Sequence, residues 1–235
     1  MILIAAVYLS ADAVSGEYGM LLEEETHSPS VFGFGGGEGM TRIYITDTKL
    51  RRDDGNKSQS TIVRSDMKII WMLDHEDSTY TEMTPDMVQG LGIMGMMVFG
   101  VRYDSLTGVP IVPDPLFIQT GEEKKIGRWL CRGWKLVETE SGDDAVRASV
   151  TLWISGESGL SSSLYGSILR RMMGDAGEQY DPFFMQIDRL RGYPVYMETR
   201  LLGRTVTQKL VRFEKIFIPD SLFVPPSCYR PKNLN

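Results

Sequence analysis

The chain has 235 residues, 42% of them hydrophobic and 24% charged, with a formal charge of −6 and a pI near 5.1. That length suits one sizeable core and is short for two full domains. The composition is ordinary for a folded soluble protein, and the acidic balance argues against nucleic acid, whose phosphates want a basic stripe. The basic pairs Arg51-Arg52, Lys124-Lys125 and Arg170-Arg171 stand near acidic residues or on polar faces and read as solvated surface.

The run Met1-Ile2-Leu3-Ile4-Ala5-Ala6-Val7-Tyr8-Leu9 is apolar, and Ala11-x-Ala13 fits a signal-peptidase site. Residues 1–13 are therefore expected to be a truncated signal remnant preceding one domain over 14–235, in an exported, periplasmic protein. A buried first strand is the alternative, although Ser10-Ala11-Asp12-Ala13 is small and polar where a strand should continue. No other stretch approaches the roughly 18 apolar residues of a membrane-spanning helix.

Residues 17–25 place Tyr18, Met20 and Leu22 on alternate positions and predict a strand. Residues 26–39, with Pro29 and five glycines, read as a breaker-rich connection. Strands are then predicted over 40–47, 49–53, 58–64, 67–73 and 79–83, spaced closely enough for an antiparallel meander. Thr84-Pro85-Asp86 has the form of a helix start, and Met87, Val88, Leu91, Met94, Met97 and Val98 follow at helical spacing. Gly90, Gly92 and Gly95 soften this helix, and 103–115 reads as an irregular loop.

Further strands are predicted at 116–120, 123–126, 129–139 and 147–155. Helical segments follow at 161–173 and 178–188, and a closing hairpin over 193–201 and 205–217. Prolines 219, 225, 226 and 231 make the tail extended. The expected fold class is α+β, mostly β: a strongly curved antiparallel sheet, open or a half barrel, wrapping two helical segments.

Several segments resemble a bacterial exported domain family of unknown function related to the outer-membrane lipoprotein-sorting and carrier proteins. They are Ile43-Tyr44-Ile45-x5-Arg51, Ser60-Thr61-Ile62-Val63-Arg64-x-Asp66, Ile69-Ile70-Trp71-Met72-Leu73 and Ser78-Thr79-Tyr80-Thr81-Glu82. The second half adds Ile126-Gly127-x3-Cys131-x2-Trp134, Trp153-Ile154 and Phe223-x-Pro225-x3-Tyr229, with Ser227-Cys228 where the family's glycine is expected. The resemblance implies a curved sheet around helices with an apolar concavity, which the carrier relatives use for acyl chains.

Common catalytic patterns are missing. The glycines from Gly33 to Gly39 precede a strand, whereas a dinucleotide fingerprint opens a helix. His27 lies in a loop, and His75, amid Asp74, Glu76 and Asp77, reads as a surface turn or a weak cation site. Ser158, Ser161, Ser162 and Ser163 lack the nucleophile-elbow order and suit a helix cap. Cys131 has no basic helper beyond Arg132, and a disulfide between Cys131 and Cys228 is possible in an exported chain.

The methionines carry the sharpest expectation. Met87, Leu91, Met94 and Met97 on one helix, with Met172 and Met173 on another, either fill a plain core or line an apolar cavity. The reading is thus a non-enzymatic envelope protein that binds an apolar, acyl or lipid-like ligand, or an envelope partner, in the concave face. It implies no cofactor, metal or nucleic acid, and no membrane span. A structural or sensor-like module with a filled core is the alternative. A hydrolase built from scattered acids such as Asp66, Asp74 and Asp77 is a remoter one.

Overall fold

The computed structural model describes residues 15–28, 37–55, 58–84, 101–137, 149–173, 178–201 and 203–232. Within 85–100 it describes Met87, Val88, Gly90, Gly92, Met96, Val98 and Phe99. The expected signal remnant and most of the glycine-rich connection lie outside these residues.

One antiparallel meander comprises β1 (Gly16–Ser28), β2 (Gly37–Ile45), β3 (Lys49–Asp53), β4 (Gln59–Arg64), β5 (Ile69–Asp74) and β6 (Thr79–Glu82). β7 (Arg102–Tyr103) and β8 (Pro110–Ile111) then form a small separate hairpin inside the stretch read as a loop. The second meander comprises β9 (Phe117–Ile126), β10 (Trp129–Leu136), β11 (Ser149–Ser155), β12 (Tyr193–Leu201) and β13 (Arg204–Pro219), and the tail adds β14 (Arg230–Pro231). Apart from the β7–β8 hairpin, these strands form one twelve-stranded sheet in the order β14-β6-β5-β4-β3-β2-β1-β13-β12-β11-β10-β9, which is not closed into a barrel. The two longest strands, β1 and β13, pair from Gly16↔Pro219 to His27↔Thr207 and fuse the meanders.

The observed bounds depart from the predicted ones where pairing overrides local propensity. β1 continues through Ser28 because both its edges find partners, β2 and β13, and the buried Thr26 hydroxyl donates to Thr41 at 2.9 Å. The two strands predicted over 116–126 are one, since Gly121 (φ 78°) absorbs the break as a bulge. The tail is not extended throughout. It makes a 3-10 turn at Asp220–Phe223, and β14 pairs parallel with β6, the one parallel pair of the sheet among the described residues.

α1 (Ser162–Met172) and α2 (Asp181–Asp188) cover one face. Ser161 caps α1 by accepting from the Leu164 amide at 3.2 Å, as its serine run foretold. The Ser162 hydroxyl donates to the Asp188 carbonyl, and Arg170 lies 4.0 Å over the Phe184 ring while pairing with Asp181. Arg171 reaches back to the β2–β3 turn and donates to the carbonyls of Thr46, Asp47 and Lys49. The earlier helix begins as read: the Thr84 hydroxyl accepts from the Met87 amide, and the described positions from Met87 to Val98 are helical.

Leu22 stands opposite Ile43, while Ile45, Leu50, Val63 and Ile70 fall in register across the next four strands, and all face the main core with Leu152, Phe183 and Ile187. On the opposite face Ile62, Trp71 and Leu73 pack with Ile218 and Phe223 in a second core. β4 and β5 are thus buried on both sides, which explains the unbroken apolar run Ile69-Ile70-Trp71-Met72-Leu73.

Candidate functional site

Of the six residues expected to line a concave cavity, Met87, Met172 and Met173 are half-buried and packed against the main core. Leu91, Met94 and Met97 lie outside the described residues. A Cβ on Gly92 would stand 3.9 Å from the Met173 terminal methyl group, so the two methionine-bearing segments do meet. Met96, absent from the expected lining, is fully buried in the main core.

The two cysteines are not brought together. Cys131 is buried on β10 and Cys228 is exposed in the tail; both thiols are free. Burial pushes the Cys131 thiol above its ordinary value, which makes it a poor nucleophile.

Reading the basic pairs as solvated surface also fails in part. Arg51 is clamped between Asp53 (2.7 Å) and the Leu222 carbonyl (3.1 Å). Arg52 pairs with Asp54; Lys124 and Lys125 are exposed as read, although the Lys124 ammonium sits 3.9 Å over the Trp153 ring. Sequence neighbours of like charge diverge in a strand, one to each face, and so find separate partners.

The largest surprise concerns His75. Its Nε2 lies 2.6 Å from the Ser60 hydroxyl and its Nδ1 2.6 Å from the Tyr229 hydroxyl. Ser60 in turn donates to Asp53 at 2.6 Å. The turn directs His75 across the neighbouring strand end and under the tail, rather than out to water. Ser60 is only 2% exposed and gives its proton to a carboxylate already held by Arg51, so the chain of bonds fastens the tail and does not present a nucleophile. Asp66 and the Asp74–Asp77 turn stand at opposite ends of β5. Asp66 pairs with Arg64, and Asp74 caps the amides of Glu76 and Asp77. No group of three or more acidic, His or Cys side chains among the described residues is arranged to hold a metal ion.

A cleft of about 520 Å³ opens at the other end of the sheet, within the range of small-molecule sites, roughly 300–1,000 Å³. Its wall is set by strand alternation: Leu130, Arg132 and Trp134 project from one side of β10, and Arg132 stands directly opposite Ile154 on β11. The facing wall is Arg189-Leu190-Arg191, the turn that ends α2, and the rim is Gly156-Glu157. Trp134, Leu130, Ile154 and Leu190 give the cleft an apolar side; three arginines and one glutamate give it a basic one.

The arginines differ. Arg132 pairs with Glu123 (3.1 Å), and Arg189 with Asp114 (2.8 Å) and the Gln186 amide oxygen. Arg191 is exposed, and among the described residues it has no ion-pair or hydrogen-bond partner. Its backbone is left-handed (φ 54°), a conformation that costs a non-glycine residue about 1 kcal/mol. The next residue holds it there. Gly192 packs so closely on β11 that a Cβ would meet the Ser155 carbonyl oxygen at 2.6 Å.

Sequence reasoning missed this site. The signal was present as Leu130-x-Arg132-x-Trp134 and Arg189-x-Arg191, alternating basic and apolar residues, but their meeting depends on pairing that no local pattern encodes.

No family model and no curated protein matches the chain. Among solved structures it is similar to an uncharacterized conserved protein from Thermus thermophilus, at 11% identity over 91% of this chain and 89% of that one, with a TM-score of 0.47. It is also similar to PNGF-II, at 10% identity over 92% of this chain and 31% of that one, with a TM-score of 0.38.

Proposed function

We propose that this chain is a non-enzymatic binding protein whose ligand is a small molecule with an apolar body, lodged in the cleft between β10 and the turn after α2. The observation that carries this reading is the cleft's open apolar wall of Leu130 and Trp134 on β10. Leu130 is 48% exposed, a cost that a ligand's apolar surface would offset by about 25 cal/mol per Å² covered. The reading shifts the expected ligand from the centre of the helix-covered face to its margin, because the described centre is occupied by Phe183, Ile187 and Met96. That occupied centre is also what favours the second reading, a filled interaction module. An exported, cell-envelope setting belongs to the same proposal and is supported by the apolar start of the chain and by the family resemblance.

The neutral fluorescent probe N-phenyl-naphthylamine tests the reading. Saturable binding to the wild type, weakened at least tenfold by Leu130→Glu with folding retained, is expected. Absence of saturable binding, or binding indifferent to Leu130→Glu, would favour the filled module.

A further inference from the structure

We propose that the cleft takes an organic oxyanion, an apolar body ending in a carboxylate or a phosphate, with Arg191 as its anchoring cation. This rests on the reading of the cleft as a small-molecule site and adds the charge its ligand carries.

The first ground is the concentration of charge. A chain with a formal charge of −6 places three arginines and one glutamate around one cleft. Two of those arginines are already matched, Arg132 by Glu123 and Arg189 by Asp114. Arg191 has no such match among the described residues, and its guanidinium offers parallel N–H groups that fit the two oxygens of a carboxylate or phosphate.

The second ground is the backbone under it. Arg191 occupies a left-handed conformation that asparagine or glycine would adopt more readily, and the close packing of Gly192 on Ser155 fixes it. Nothing in the turn's own hydrogen bonding needs an arginine there. Strain retained at a position that aims a charged group into a cleft is the pattern of a binding site.

The third ground is the company it keeps. Leu130, 48% exposed, and the half-buried Trp134 line the same cleft as the cation, so a purely inorganic anion would leave their surface uncovered, and a neutral apolar molecule would leave the charge unused. An oxyanion on an apolar body satisfies both.

The test compares two probes with nearly the same aromatic body, neutral N-phenyl-naphthylamine and anionic anilinonaphthalene sulfonate, on the full chain. The anionic probe is expected to bind about tenfold or more tightly, the share of one charge-assisted contact. Arg191→Gln should lower the affinity of the anionic probe about tenfold or more and that of the neutral probe by a clearly smaller factor. Arg200→Gln, an exposed arginine of β12 outside the cleft, should alter neither. Dodecanoate and dodecyl phosphate then compete for the bound sulfonate, and the stronger competitor identifies the head group. Equal affinity for the two probes, indifference to Arg191→Gln, or displacement by neither competitor overturns the anionic assignment and leaves the binding reading standing. Failure of both probes to bind overturns the binding reading itself.

Discussion

The two halves of the sheet are finished in opposite ways. In the β2–β6 half both faces are covered, by the main core on one side and by the C-terminal tail on the other, and most polar groups there bond one another, the buried hydroxyls of Ser65 and Thr79 being exceptions among the described residues. Arg51, Asp53, Ser60, His75 and Tyr229 form a continuous chain of bonds in which each member finds a partner within the protein. In the β9–β12 half the helices leave a margin uncovered, and a cleft opens there whose Arg191 has no ion-pair partner among the described residues. The lesson is that bonding capacity left over, not polarity as such, marks where a ligand can act. His75 looks chemically richer than Arg191 and is the poorer site candidate.

The largest effect separating the halves is expected at Phe223, which is fully buried in the second core. Phe223→Ala should cost about 3–5 kcal/mol in denaturant unfolding. Leu130→Glu in the other half should change stability by less than ~1 kcal/mol. Similar losses in both would break the comparison.

A smaller effect is expected along the tail's hydrogen-bonded chain. His75→Ala leaves Ser60 and Tyr229 each short of a partner and should cost about 1–3 kcal/mol, whereas Tyr229→Phe should cost only about 1 kcal/mol. Hydrogen exchange at β6 and β14 should speed up in both variants. Unchanged exchange there would show that the tail is held by Phe223 alone.

The smallest effect concerns the seam between the halves. Glu24, at the bulge where β1 meets β13, is buried and accepts from the Tyr193 hydroxyl at 3.0 Å. Burial holds its carboxyl above the ordinary carboxylate range, outweighing the opposing pulls of Arg52 and the Tyr193 hydroxyl. A raised folded-state pKa contributes stability that is complete below the ordinary value of 4.5 and is lost as pH climbs through the raised one. Asp54, also raised by burial, adds a loss of the same sign, while Asp66 and Glu17, held low by Arg64 and Lys49, contribute in the opposite sense. The difference between wild type and Glu24→Gln isolates Glu24. Stability of the variant should gain on the wild type as pH rises from 4.5. A difference independent of pH would mean that Glu24 stays in one protonation state throughout.

Much of this architecture was legible in the sequence because it follows from local periodicity. Alternation in Ile43-Tyr44-Ile45 and the turn signals between strands located the meanders, and Ser161 and Thr84 announced their helices. What was not legible depends on pairing between distant segments. The β1–β13 seam, the parallel β14 and the burial of Phe223 join residues far apart in the chain, and no window of sequence contains both partners. The cleft was hidden for the same reason. The methionine helix was visible, and its described residues pack as core; the sequence could show that methionine was there but not whether its neighbours left a gap.

The four tryptophans provide the most direct measurement, because Trp71 lies in the tail-covered half and Trp134 in the cleft, with Trp129 and Trp153 in the main core. With nitrogen-labelled tryptophan, titration with dodecanoate should move the Trp134 indole signal saturably and leave that of Trp71 in place. A Trp71 signal that moves as far as that of Trp134, or a Trp134 signal that does not move at all under any oxyanion amphiphile, would contradict the assignment of ligand binding to the cleft.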